Sequence, residues 1–258
     1  MKANYHCHTE RCYHAIGEDE AFVQAAVKGG FDIFGIADHG PWPFEGGFVS
    51  RMRLKAEDAQ QYIDTFTALK KKYAGQIEIH IGFEQEYWPR YLDYMRRLLD
   101  NGVEYFILGQ HMLDAENIAP YIGQFVDTDD GVLRYADSVC EGIRTGLYSY
   151  IAHPDLFMIR RTPEEFNAAC EQATIMIAQA CSEQHIPLEY NLLGVGEHRA
   201  YPCEPFWALA VKHCKNAILG MDAHTPAALL NDALWQASRT HLLELGYHVQ
   251  EKLAFKEV

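Results

Sequence analysis

The sequence predicts an α/β fold, a distorted (β/α)7 barrel that is TIM-barrel-like, in a single domain over residues 1–258. Three observations predict it. Short apolar runs alternate with helical patterns along the chain, which implies parallel strands and right-handed crossovers. Seven such units in 258 residues suit a closed barrel better than an open sheet. No Gly-x-Gly-x-x-Gly follows the first strand, so a dinucleotide-binding sheet loses ground.

The elements follow in order. Strand one is Ala3 to His8, where His6 and His8 share a face because side chains two apart in a strand point the same way. A helix runs from Glu18 to Lys28 and stops at Gly29-Gly30. Strand two is Asp32 to Asp38. The loop Gly40 to Val49 is rich in Pro, Gly and aromatic residues, and a helix runs from Leu54 to Tyr73. Strand three is Ile77 to Phe83, with a helix from Pro89 to Asn101. Strand four is Tyr105 to Gly109. The connection Met112 to Asp130 is long, and loops of that length are often functional. A helix spans Val132 to Arg144, strand five is Leu147 to Ala152, and a helix spans Pro163 to Gln184. Strand six is Ile186 to Tyr190, followed by a glycine-containing loop from Leu192 to Pro205 and a short helix ending near His213. Strand seven is Ala217 to Met221, the last helix runs from Ala227 to Leu245, and the tail from Tyr247 has room for one short strand.

Composition narrows the function. The net charge of −14 disfavours long nucleic acid, which needs a basic surface. No run of about 18 apolar residues marks a membrane span, and the charged start lacks the apolar core of a secretory leader. Seven scattered cysteines without Cys-x-x-Cys read as reduced thiols, so a cytoplasmic location is expected.

The C-terminal ends of the strands carry the chemistry. They present His6 and His8, Asp38-His39, Glu84, Gln110-His111, His153-Pro154-Asp155 and Asp222-Ala223-His224, with His14 just after strand one. In a parallel barrel these ends converge on one face, where barrel enzymes keep their active sites. Polar capping accounts for one or two such histidines, but not for histidines at five of seven strands. The metal-ligating candidates are His6, His8, His14, His39, Glu84, His111, His153, Asp222 and His224. Nine are too many for one ion and suit two to three divalent cations, Zn, Mn or Fe, with a bridging carboxylate. Neighbouring divalent ions share a hydroxide and clamp phosphate oxygens, which is the chemistry of phosphoester hydrolysis.

The set His6-x-His8, Cys12-x-His14, Asp38-His39, Gly82-Phe83-Glu84, His111, His153-Pro154-Asp155 and Asp222-x-His224 resembles the PHP (polymerase and histidinol phosphatase) superfamily, over most of the chain. The resemblance implies a distorted seven-stranded barrel with a trinuclear centre. It assigns His6, His8, Glu84 and Asp222 to one metal, His111 and His153 with bridging Glu84 to a second, and His14, His39 and His224 to a third. The His-Thr-Glu start and Cys12-x-His14 look most like the histidinol-phosphatase branch, which releases phosphate from L-histidinol phosphate in histidine biosynthesis. The Gln110-His111-Met112 stretch departs from the Gly-Ser-x-His form of the family. The alternative within this chemistry is another small phosphate ester or a nucleotide.

The expected mechanism is in-line attack on phosphorus by a metal-bridging hydroxide, with Glu84 and Asp222 in the catalytic centre and Arg160 and Arg199 clamping phosphate through their planar forks. Trp42, Phe44, Glu45, Phe48, Glu86, Asp114 and Glu116 are candidates for a site holding an ammonium and an imidazole. Asp38 and Asp155 are candidates for orienting imidazoles, and Asn191 ends strand six with no role assigned. The partner is a small phosphate ester, with neither membrane nor long nucleic acid involved, and association of the chain with further copies of itself is left open.

Overall fold

A computed structural model describes residues 1–255. Eight parallel strands form one sheet in chain order: β1 (Ala3–Asn4), β2 (Ile33–His39), β3 (Glu78–Gln85), β4 (Tyr105–Leu108), β5 (Tyr150–Ile151), β6 (Leu188–Asn191), β7 (Asn216–Gly220) and β8 (His248–Gln250). The crossovers carry α1 (Asp19–Lys28), α2 (Ala59–Lys72), α3 (Leu92–Asp100), α4 (Asp129–Arg144), α5 (Ala168–Glu183), α6 (Leu192–Gly196), α7 (Glu204–Ala210) and α8 (Asp232–Leu245). Every residue of β2, β4 and β6 is buried. That is why β4 and the body of β2 read as apolar runs, as in parallel sheets covered on both faces, while the polar residues of β2 and β6 must find partners inside the fold. Alternate residues such as Ile33, Ala37, Tyr105, Ile107 and Tyr150 build a small core of their own, separate from the large one that includes the helices. No helix among the described residues is long and apolar enough to cross a membrane.

The closure of the sheet explains the distortion. The first half of β7 pairs with β8, from Asn216 opposite His248 to Ile218 opposite Gln250. Beyond Gly220 the same chain turns to β1. Met221 N donates to Asn4 Oδ1 at 2.8 Å, His8 N donates to Ala223 O at 2.9 Å, and Cys7 bridges Ala223 in parallel. The barrel therefore closes directly at its C-terminal mouth, while the tail fills the other end. There Leu253 N donates to Tyr5 Oη, and the Phe255 ring stacks on Tyr105 at 5.3 Å.

The seven expected strands are present, and the tail adds the eighth. Strand one is regular only over Ala3–Asn4, because the Asn4 side chain bonds to His6 N and O and takes over the backbone that a ladder would use. The expected loop after strand six begins instead with α6, capped by the Asn191 side chain accepting from Gly194 N at 2.9 Å. The helices expected from Leu54, Pro89, Pro163 and Ala227 each begin as short 3-10 turns, and the α-helices proper start a few residues later.

Candidate metal centre

Register alone places the central carboxylate. β2 and β3 align His39 with Glu84 at their C-terminal ends. Glu84 is buried, and its two oxygens face different histidines. Oε1 lies 2.9 Å from His153 Nε2 and 3.4 Å from His111 Nε2. Oε2 lies 3.0 Å from His39 Nδ1 and 3.5 Å from Nε2 of both His6 and His8. The strand end at Gly109 is glycine for a local reason, since a Cβ there would overlap the Glu84 carboxylate.

The other candidates close round this carboxylate. Asp222 Oδ1 lies 3.1 Å from His8 Nε2 and 3.5 Å from both His6 Nε2 and His224 Nδ1. The His14 ring is 5.2 Å from that of His39 and 4.9 Å from that of His224. All nine candidates are thus brought together at the barrel mouth. His153 and Asp222 have positive φ, 30° and 46°. This sparsely populated conformation is one that functional sites often hold.

The donors fit cations. Both Glu84 oxygens, Asp222 Oδ1 and His39 Nδ1 are buried at the centre of the cluster without a hydrogen-bond partner, which is costly for polar groups left alone. Imidazole and carboxylate are the donors that Zn, Mn and Fe accept. Burial would raise the Glu84 carboxyl, but His111, His6 and His39 outweigh it and hold it well below the usual range. His6, His8 and His224 do the same for Asp222. Burial takes His39 down to about 4, so it is neutral and ready to ligate at pH 7.

Buried partners hold these rings, and two were missed in the sequence. Glu189 accepts from His6 Nδ1 at 2.7 Å, His153 N at 2.9 Å and Asn191 Nδ2 at 3.2 Å. Arg53 forms a two-pronged pair with Glu86, and Glu86 faces His111 Nδ1 at 3.3 Å. Asp38 accepts from Thr9 N and Oγ1, at 2.9 and 2.8 Å, and so fixes the strand end that carries His8. Asp155 is hydrogen-bonded to no imidazole among the described residues and accepts instead from Cys203 N and Trp207 Nε1. Asn191 donates to Asp222 Oδ2 at 3.1 Å, which gives this residue a place at the site.

The expected substrate residues part company. Arg199 lines the ≈ 290 Å³ cavity over the cluster with Tyr121, Glu197 and Tyr201, and it donates to Tyr201 Oη at 2.7 Å. Arg160 does not line it. The turn Leu156–Met158 carries the chain away, and Arg160 is exposed beside Gly123. The acidic candidates are paired already, Glu86 and Glu116 with Arg53, and Asp114 with Arg90 at 2.9 Å. Trp42 is buried and stacks on Tyr91 at 5.2 Å, while Glu45 is exposed; neither of these nor Phe44 and Phe48 lines the cavity. A larger hollow of ≈ 580 Å³ lies between Tyr87–Arg90 and α4 and contains none of the nine candidates.

The cluster predicts a proton count. Burial pushes the His6 imidazole down, but Glu189, Asp222 and Glu84 outweigh it and hold its pKa well above the ordinary value. The ion-free site therefore keeps this proton at neutral pH, and a cation must displace it. Adding Zn to ion-free protein in weak buffer at pH 7 should release about one proton or more per chain, read with an indicator dye. Zn affinity should fall as pH falls. Binding with no release and no pH dependence would contradict the arrangement.

Comparison with known proteins gives a consistent picture. The PHP domain model matches residues 4–191. A Deinococcus radiodurans protein named probable histidinol-phosphatase is 27% identical over 232 residues, covering 86% of this chain and 85% of that one. The histidinol-phosphatase of Bacillus subtilis is 27% identical over 159 residues, covering 58% of this chain and 57% of its own. The Lactococcus lactis histidinol phosphate phosphatase, solved with Zn, L-histidinol and phosphate, superposes with a TM-score of 0.74 at 17% identity, covering 98% of both chains.

Proposed function

The chain belongs to the PHP domain family, and we propose that it is a metal-dependent phosphomonoesterase hydrolysing L-histidinol phosphate to L-histidinol and phosphate. The observation that carries this reading is Glu84, one carboxylate between His6, His8 and His39 on one oxygen and His111 and His153 on the other. That is the arrangement of a bridging ligand. Glu84, His6, His8 and Asp222 would hold one cation, Glu84 with His111 and His153 a second, and His14, His39 and His224 a third. Bound divalent ions supply a water of lowered pKa and neutralise charge on the phosphoryl oxygens.

The chain's own residues do the rest. Arg199 carries the guanidinium of the cavity wall and is the phosphate clamp of this proposal. Glu197, the carboxylate on that wall outside the ligand set, accepts from Arg199 Nε at 2.9 Å and so orients the guanidinium. Tyr121 and Tyr201 wall the side next to His111 and His153, with ring centroids 6.2 and 5.8 Å from theirs. The cavity, ≈ 290 Å³, suits a small ester rather than a polymer. In-line displacement forms a new P–O bond to the attacking water and breaks the P–O bond to histidinol, whose alkoxide is protonated by the proton that the water gives up.

The test is phosphate release from L-histidinol phosphate beside nucleotides and sugar phosphates, with added Mn or Zn. We expect kcat/KM for histidinol phosphate to exceed the others by about 1,000-fold, roughly 4 kcal/mol in transition-state binding. Equal, slow turnover of all of them would leave the metal chemistry standing and overturn the substrate.

A further inference from the structure

Arg53 is 1% exposed, in the connection between β2 and α2. A fully buried guanidinium is rare unless it is paired, and nothing in the reaction above uses it. Its Nη1 and Nη2 donate to Glu86 Oε2 and Oε1 at 3.0 and 2.8 Å. Its Nε donates to Glu116 Oε2 at 2.9 Å, and Nη1 also reaches Gly40 O at 3.4 Å. The partners come from three different connections, after β2, β3 and β4. One side chain therefore ties together three loops at the barrel mouth.

The tie leads to a candidate ligand. Glu86 Oε1 faces His111 Nδ1 at 3.3 Å, and His111 Nε2 faces Glu84 Oε1 at 3.4 Å. A carboxylate on Nδ1 keeps the proton there and leaves the Nε2 lone pair free for a cation. The two-pronged pair fixes the plane of Glu86 as a lysine could not. Trp42 Nε1 donates to Glu86 Oε2 at 3.0 Å, so this carboxylate is held from a third direction. On its other side the chain past Glu116 returns to His111. Ile122 N donates to His111 O at 2.7 Å, and the Tyr121 ring stacks on the imidazole at 6.2 Å.

We propose that Arg53 is a positioning residue which, through Glu86, sets the tautomer and orientation of His111 and thereby the affinity of the cation shared with Glu84 and His153. This rests on the reading of His111 as a ligand given under the proposed function, and the controls separate the two.

The experiment measures Zn per chain by mass spectrometry after equilibration with a competing chelator, beside kcat and KM, for the wild type, H111A, E86Q, R53M, R53K and the double variant R53M/E86Q. H111A should lose one metal. E86Q and R53M should weaken that same single metal by about 10- to 100-fold, with kcat falling and KM little changed. R53K should fold, by near-UV circular dichroism, without regaining the affinity. In the E86Q background R53M should add almost nothing, because both changes cut one line. Should R53M not fold, E86Q and R53K decide. The proposal is overturned if E86Q and R53K keep every metal at wild-type affinity while H111A loses one, or if R53M weakens binding as much with E86Q as without it. If H111A keeps all its metal, the ligand reading fails and takes this inference with it.

Discussion

Replacing Glu84 by Gln should lower kcat/KM by at least about 1,000-fold, about 4 kcal/mol, and reduce bound metal in the same preparation. The reason is geometric. Both oxygens are used, Oε1 toward His111 and His153, and Oε2 toward His6, His8 and His39. Glutamine keeps the shape but turns one oxygen into an NH2. In one orientation the amide faces His111 and His153, in the other His6, His8 and His39, and in both it meets ligand nitrogens with no lone pair of its own. It also removes a negative charge that His111, His6 and His39 hold fully ionised against burial. Loss of turnover with full metal content would reassign Glu84 from ligand to some other catalytic role. Full turnover would sink the centre altogether.

Much of this site was legible because its chemistry sits at predictable points of a repeating pattern. Strand ends of a parallel barrel converge, so His6, His39, Glu84, His111, His153 and Asp222 could be placed on one face before any distance was known. What could not be read was pairing across the fold. Arg160 follows the His153 strand in sequence, but the 3-10 turn Leu156–Met158 redirects the chain and leaves it exposed. Glu86 and Glu116 looked free to meet an ammonium; the cation that takes them is Arg53, 33 and 63 residues away. The aromatic loop offers Trp42, Phe44 and Phe48 as candidates for a substrate wall, although such loops more often pack over a barrel mouth, and the burial of Trp42 against Tyr91 is that packing. One signal was available and unused. Glu189 follows Ile186-Pro187-Leu188 into a strand whose every residue is buried, and a carboxylate there needs a partner.

That carboxylate gives the sharpest separation between stability and function. Glu189 is fully buried, 183 residues from His6 in sequence, and Gly220 on the next strand lacks the Cβ that would overlap its Oε1. Glu189→Ala strands three buried donors, His6 Nδ1, His153 N and Asn191 Nδ2. Such a loss costs roughly 3 to 5 kcal/mol, and thermal unfolding should move down by roughly 10 °C. Glu189→Gln behaves differently. Its one oxygen best serves the two donors on the Oε2 side, His153 N and Asn191 Nδ2. Its NH2 then faces His6 Nδ1, which must accept instead of donate. The His6 proton moves to Nε2, the nitrogen that looks toward Glu84 and Asp222, and a protonated nitrogen cannot ligate. The Gln variant should therefore stay within about 1 kcal/mol of wild type in stability and lose about 10- to 100-fold in metal affinity. Nitrogen NMR of the imidazoles reads the tautomer directly. If the Gln variant binds metal normally with His6 still protonated at Nδ1, Glu189 supports the barrel alone and the ring finds its orientation from Asp222 and Glu84.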